Sequence, residues 1–374
     1  MKILIAGDYA PLERVEQSFA QRDFSCFKDV KNRIEAADYA LVNLEIPIVE
    51  QMCAPIPKYG PALRSSSMAV DALKFAGFAC VTLANNHFRD FGDVGCNTTI
   101  AYLQKGNIDY VGGGGNLCEA QKVLYKTISG KVLAVVSVCE NEFSIATSKS
   151  AGAAPLDLVD NYKQIQEARA NADYVLVVVH GGHEFYQLPS PRMKKLYRFF
   201  VEIGADAVVN HHQHCYSGYE IYQSKPIVYG LGNFCFDNKR HRGSSWNDGY
   251  CVEIDFAMLA PSLKILPYRQ CDEEPIVRWM NGVQQQTFED SIRRLNTIIQ
   301  DDEALNKAFD HWVEGQVKSK LLLFSSYHNR YLNAAAYRGW LPSLNSKQET
   351  LGLINNLVCE SHRDVVVEVL KRML

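Results

Sequence analysis

No apolar run in the 374-residue sequence approaches the roughly 18 uninterrupted residues needed to span a bilayer. A membrane-spanning segment is not expected. The opening MKILIAGDYAP holds only Ile3–Ala6 as an apolar stretch before Gly7 and Asp8, too short for a signal-peptide core. The eleven cysteines, scattered from Cys26 to Cys359, are odd in number and include no CxxC pair. Reduced thiols in a cytoplasmic compartment fit this better than a disulfide framework. Charge of one sign is lacking too: the net charge is −3 with 22% charged residues, so nucleic acid is not expected as the main partner. Repeats and low-complexity segments are absent. HExxH and PCxxC signatures are also missing, which argues against a single-zinc protease or deaminase. The run Gly112–Gly115 lacks the Lys-Ser/Thr of a P-loop and reads as a turn before a helix at Asn116.

What is present is ordinary globular composition, 47% hydrophobic, in a chain long enough for one large domain plus a smaller one. Short apolar runs recur through about residue 256: Ile3–Ala6, Tyr39–Leu44, Cys80–Ala84, Val132–Val138, Tyr174–Val179, Ala207–Val209 and Pro226–Tyr229. Between them lie segments with apolar positions at three- and four-residue spacing: Cys26–Ala36, Met68–Ala76, Val94–Gln104, Leu156–Ala170 and Pro191–Ile203. This alternation predicts a layered α/β domain. Strands around Tyr250–Phe256 and Leu263–Tyr268 would close a sheet. After Pro275 the pattern is helical without strand signals, as in Phe288–Ile299, Ala304–Phe324 and Val365–Leu370. The division expected is a domain over 1–270 and a helical C-terminal extension over 275–374. Ser346 with Glu349, and Ser361 with Asp364, have helix-start spacing.

Five polar clusters follow predicted strands directly: Gly7-Asp8, Asn43-Leu44-Glu45, Asn85-Asn86-His87, His180 to Glu184, and His211-His212-Gln213-His214. In an α/β sheet, strand ends along one edge gather distant residues into one crevice. Six of the ten histidines fall in these clusters. Carboxylate and imidazole together suit manganese, iron or zinc, whereas calcium takes almost only oxygen and structural zinc usually takes thiolates. Two divalent ions need a shared carboxylate, and Glu45 is the natural candidate, with Asp8 and the histidines on its flanks. Ions about 3.5–4 Å apart could activate one water and polarise the bond it attacks. His87 is then left to act as the general acid.

In this order, Gly7-Asp8, Asn43-Leu44-Glu45, Leu83 to His87 followed by Asp90 and Gly92, His180 to Glu184, His212-Gln213-His214 and Tyr229 to Phe234 resemble the capsule biosynthesis protein CapA, or poly-γ-glutamate synthesis, family of the calcineurin-like metallophosphoesterase superfamily. The resemblance covers roughly residues 1–256. It implies a four-layer fold, two mixed sheets flanked by helices, with metals at the strand ends. It further implies Asp8 and His214 as ligands of one ion, Glu45 as the bridge, and Asn86, His180 and His212 as ligands of the other. His87 falls where the superfamily keeps its catalytic histidine, and Asn233 and Glu184 look like site-lining residues. Several positions depart from the superfamily pattern. Ala10 replaces a histidine, Glu45 an aspartate, Asn210 a glycine, Gln213 a proline and Gly181 a tryptophan.

The remaining polar residues are weighed singly. On an extended segment, alternation puts His212 and His214 on one side and His211 on the other, so His211 is expected to be structural or peripheral. Cys215 is expected to point away and pack. His183 is expected at the surface, and His241, His311, His328 and His362 lie outside the constellation. Arg64, before Ser65-Ser66-Ser67, is a candidate for an anionic substrate group. The substrate expected is an anionic small molecule or polymer, carrying a phosphoester or a γ-glutamyl amide. The rival reading is a non-catalytic protein that binds such a polymer, with a protein partner docking on the helical C-terminus.

Overall fold

The computed structural model describes residues 1–51, 53–256, 260–324 and 346–372, together with 331, 332, 335, 338 and 340. His328 lies outside these residues. The larger sheet is ordered Val277–Trp279, Ser262–Gln270, Asp248–Asp255, Lys2–Tyr9, Tyr39–Leu44, Cys80–Thr82, Asp109–Val111, with Asn233–Cys235 pairing beside the end of Lys2–Tyr9. The second sheet is ordered Tyr219–Tyr222, Lys225–Val228, Ala207–His211, Tyr174–His180, Lys131–Cys139, Leu124–Ile128. Each has parallel central strands; the second sheet is antiparallel at both edges, the larger at one, since its other edge strand, Asp109–Val111, pairs parallel.

The two sheets pack face to face, and side-chain alternation sorts their residues into separate cores. Ile3 and Ile5 join Leu133, Val135, Leu176, Val178 and Val209 between the sheets. Their neighbours Leu4 and Ala6 instead meet Val15 and Phe19 of helix Glu13–Ala20, Val30 and Ile34 of helix Lys28–Glu35, and Leu73 of helix Met68–Ala76. Across the sandwich, Ala134, Val136 and Val177 face Ile165 of helix Leu158–Asn171 and Tyr197 and Phe200 of helix Pro191–Glu202. Strands covered on both faces need continuous apolar runs rather than a polar alternation, which is the pattern the sequence carries. The result is the expected four-layer α/β sandwich, helix, sheet, sheet, helix.

The C-terminal helices are packed onto this sandwich. Helix Gly282–Gln300 puts Phe288 and Ile292 against the inter-sheet core, and helices Asp302–Phe324 and Glu360–Lys371 add Phe309, Val313, Val365 and Val369 to the second outer core. Ser346 and Glu349 form a reciprocal capping box at helix Lys347–Val358. Two local expectations are corrected. Val277–Trp279 is an edge strand after Pro275, three residues long and so too short to show alternation. Ser361 lies inside helix Glu360–Lys371 rather than before it, and its hydroxyl donates to the buried carboxylate of Glu140 at 2.8 Å.

Candidate metal centre

The carboxyl ends of the central strands of both sheets meet at one end of the sandwich. Asp8 closes on the larger sheet where the chain approaches a second strand very tightly: a Cβ on Gly7 would lie 1.9 Å from the Gly232 carbonyl oxygen. Only glycine permits that approach. The Asp8 amide donates to the same oxygen at 3.1 Å, and the Glu45 amide donates to the Tyr9 carbonyl at 3.0 Å. Backbone pairing thus sets the two acids side by side.

Asn43 is the organising hub beneath them. Its amide nitrogen donates to Asp8 Oδ1 at 2.8 Å and lies 3.2 Å from His180 Nδ1, while its oxygen accepts from Thr82 Oγ1 and Asn85 Nδ2 at 3.1 and 3.2 Å. Asn85 also donates to the Leu44 carbonyl and accepts from the His87 amide, so it holds the turn that presents Asn86 and His87. From the second sheet, His180 Nε2 lies 3.1 Å from Asn86 Oδ1, 3.4 Å from Glu45 Oε1 and 3.0 Å from His212 Nδ1. His214 Nε2 lies 3.7 Å from Glu45 Oε1, and its Nδ1 lies 3.7 Å from Asp8 Oδ2. Two sets of donor atoms, Asp8/Glu45/His214 and Glu45/His180/His212, each fall within 4.8 Å of one another and share Glu45.

The electrostatics of this cluster are one-sided. Glu45 is fully buried and neither carboxylate oxygen has a hydrogen-bond donor. Burial, then the charge on Asp8, pushes its pKa well above the ordinary carboxylate range. Burial would also raise Asp8, but His211, His180 and His214 outweigh it and hold that carboxyl low. Burial pulls His180 down to about 3 and, with His180 beside it, His212 down to about 4, so both rings are neutral. His214 goes the other way: burial opposes its charge, yet Glu45, Glu184 and Asp8 raise it. Neutral imidazoles and an orphaned carboxylate are a donor set that a cation would satisfy.

His87 sits at the edge of the same cluster, with Nδ1 2.7 Å from Asp90 Oδ2. Asp90 is itself ion-paired to buried Lys58, whose ammonium is 3.3 Å from His87 Nδ1, and it accepts from the Leu63 amide. Burial first, then Lys58, holds His87 below its ordinary pKa. Asn233 accepts at 3.0 Å from His214 Nδ1 and donates to the His214 carbonyl, so it orients that ring. Glu184 is exposed, its carboxylate within 4.8 Å of the His212 and His214 rings. Arg64 is exposed, with its guanidinium 5.9 Å from the centre of the Phe91 ring.

Several expectations meet a different arrangement. His183 is buried rather than at the surface, packed on Trp312 and Phe309 at 4.8 and 5.6 Å. His211 is not peripheral: its Nδ1 is 3.3 Å from Asp8 Oδ1. The alternation argument failed at His212 and His214 because the strand ends at His211 and both residues have positive φ, 92° and 55°. Cys215 is buried, as expected of a packing residue. The positions that depart from the superfamily pattern are built into local contacts. Asn210 bridges Gly181 O and Tyr229 O and accepts from Tyr197, Gln213 donates to Tyr186 O, and a Cβ on Gly181 would lie 2.7 Å from Glu140 Cγ. Sequence reasoning also missed Lys58 and the cluster Glu140-Asn141-Glu142. The latter follows strand Lys131–Cys139 as the other clusters follow theirs, and the charge of Glu142 is felt at Glu45, His180 and His212.

Comparison with known proteins places this geometry in a lineage. The chain is 33% identical over 219 residues to a capsule biosynthesis protein CapA of Bacillus anthracis, covering 56% of this chain and 53% of that protein. It is 32% identical over 216 residues to the PGA biosynthesis protein CapA of Bacillus subtilis, covering 57% of each. A probable polyglutamine synthesis accessory protein of Mycobacterium tuberculosis is 26% identical over 265 residues, 63% of this chain and 66% of that protein. The matches thus span little more than half the length of the two Bacillus relatives. Among solved structures, a hypothetical protein from Thermus thermophilus aligns over 75% of this chain and all of its own, at 14% identity and a TM-score of 0.47. A putative 5'-nucleotidase from Staphylococcus aureus aligns over 80% of this chain and 58% of its own, at 12% identity and a TM-score of 0.41. Both structural likenesses are remote. The family model described as bacterial capsule synthesis protein PGA_cap matches residues 2–238, more than half of the chain and every strand-end cluster described above, and the chain belongs to that family.

Proposed function

We propose that the protein is a hydrolase that depends on two divalent metal ions. Asp8 and His214 would hold one, Asn86, His180 and His212 the other, with Glu45 available to both. The observation that carries this reading is Glu45, a carboxylate buried without any hydrogen-bond donor at the junction of both ligand sets. Burying such a group uncompensated is costly, and shared cations compensate it. The mixed nitrogen and oxygen donors favour manganese, iron or zinc. Such ions supply Lewis acidity, making water nucleophilic near neutral pH and drawing charge from the bond under attack.

The chain's own groups supply the rest. Asp90 fixes the His87 ring through Nδ1, which leaves Nε2 to pass a proton to the departing group. Because His87 is held below its ordinary pKa, its acid form grows as pH falls, and turnover limited by leaving-group protonation rises in that direction. Exposed Arg64 and Glu184 are the candidates to meet an anionic substrate and its counter-charges, and Asn233 would act by orienting His214. Family membership points to a polymer such as polyglutamate, with a γ-glutamyl amide as the bond. The superfamily resemblance points to a phosphoester. In this reading residues 1–270 form the catalytic unit in the cytoplasm, and 275–374 a helical extension available to a protein partner.

A second reading is a non-catalytic accessory protein that binds the anionic polymer. Ala10 favours it, since a methyl group stands where the superfamily places a ligand histidine. The test is purification with manganese, measurement of bound metal, and assay of a phosphodiester, a phosphomonoester and a γ-glutamyl peptide. Turnover lost in His87→Ala with metal retained supports the hydrolase. Full metal occupancy with no turnover of any of the three supports the accessory reading.

A further inference from the structure

His211 has no role in the assignments above, yet its position is unusual. Strand Ala207–His211 alternates strictly: Val208 and Asn210 face the helical layer, where Asn210 meets Tyr197, while Ala207 and Val209 face the core between the sheets. His211 continues that second face and so meets the opposite sheet at the point where Asp8 leaves it. Its Nδ1 lies 3.3 Å from Asp8 Oδ1, the side chain is 1% exposed, and neither ring nitrogen has a well-formed hydrogen bond. A buried imidazole without a good partner opposes folding, and such groups persist where function requires them.

Asp8 is otherwise lightly held. Oδ1 accepts from Asn43 at 2.8 Å and Oδ2 from the His212 amide at 3.2 Å, while Ala10, two residues on, has no polar atom to offer. The His211 nitrogens do not join the compact donor sets formed by Asp8, Glu45 and His214, so the ring stands behind Asp8 rather than beside an ion. We propose that His211 is a positioning residue for the metal centre, orienting Asp8 from the inter-sheet face and so raising the affinity of the ion that Asp8 and His214 hold. The inference rests on the dinuclear reading given above. Imidazole and carboxylate groups behind a ligand characteristically shift metal affinity by about 10–100-fold.

The experiment titrates the metal-free, full-length protein with manganese alone, by calorimetry, for the parent, His211→Leu and His211→Asn. The Leu variant removes both nitrogens, and the Asn variant returns an N–H near the place of Nδ1. Expected are two ions for the parent, a loss of roughly 10-fold or more confined to one ion in His211→Leu, and partial recovery in His211→Asn. Melting of the metal-free proteins is measured alongside, to separate a loss of packing from a loss of metal affinity. If the parent takes up no manganese, the metal reading fails and this inference with it. If the parent binds two ions and His211→Leu binds both as tightly, the inference alone is overturned. A lower melting temperature in both variants with unchanged affinity would show His211 to be a packing residue and would also overturn it.

Discussion

Replacing Glu45 by glutamine should make the metal-free protein more stable at neutral pH and less able to gain from metal. Glu45 is fully buried, both oxygens lack donors, and burial together with Asp8 raises its pKa well above 4.5. A group whose folded pKa is raised contributes its stability below the unfolded value and loses it as pH climbs toward the folded one. Leaving one buried acceptor unsatisfied costs about 1–3 kcal/mol. Keeping a proton on this group above its ordinary range adds a cost that grows with pH. Glutamine escapes the proton cost, and its amide oxygen can accept from His180 Nε2, 3.4 Å from the present Oε1. The variant should therefore gain about 1–3 kcal/mol, or about 1–4 °C in Tm for a chain of this length. The assay is calorimetric melting of chelated protein at about pH 7.5 and again near pH 4, where the gain should shrink because Glu45 is then mostly neutral in both states. Manganese at a free concentration a hundredfold above its Kd should stabilise the parent by about 2.7 kcal/mol per ion, and the variant far less. Lower melting of chelated Glu45→Gln at neutral pH, or equal stabilisation of both proteins by manganese, would refute the reasoning.

Three further outcomes follow from buried groups elsewhere. Asp90→Ala leaves Lys58 buried without its counter-ion and should cost about 3–5 kcal/mol in urea unfolding, most of it recovered when Lys58→Met is added. Glu140, held by Arg192 and Ser361 at about 2 against the opposing effect of burial, contributes stability that is present above about pH 4.5 and lost as pH falls toward 2; Glu140→Gln should flatten the acid limb of a stability profile. Gly7→Ala drives a methyl into the Gly232 carbonyl and should cost at least about 3 kcal/mol, with metal uptake lost even where folded protein is recovered.

The apolar runs disclosed the two-sheet core because a strand covered on both faces has to be apolar along its length; Met68–Ala76 is a helix over the predicted span, and most other segments differ by a few residues at their ends. Edge pieces were harder. Val277–Trp279 carries too few residues for a period, and Ser361 mimicked a helix start while its hydroxyl was needed by Glu140. At the site, strand-end placement singled out the clusters that hold Asp8, Glu45, Asn86, His180, His212 and His214, and these side chains do converge. The same rule, applied to Lys131–Cys139, would have found Glu142. It could not have found Lys58, which comes from a loop with no flanking strand signal and reaches Asp90 only in three dimensions.

By itself, then, the sequence determined which residues are apolar in which period, and hence that strands end in polar clusters at one edge. Those are local properties, written into neighbouring residues. Only the tertiary structure decided which faces meet. Alternation places His211 opposite its neighbours, but whether that opposite side is solvent or a second sheet carrying Asp8 depends on packing between segments some two hundred residues apart, and no local pattern encodes it.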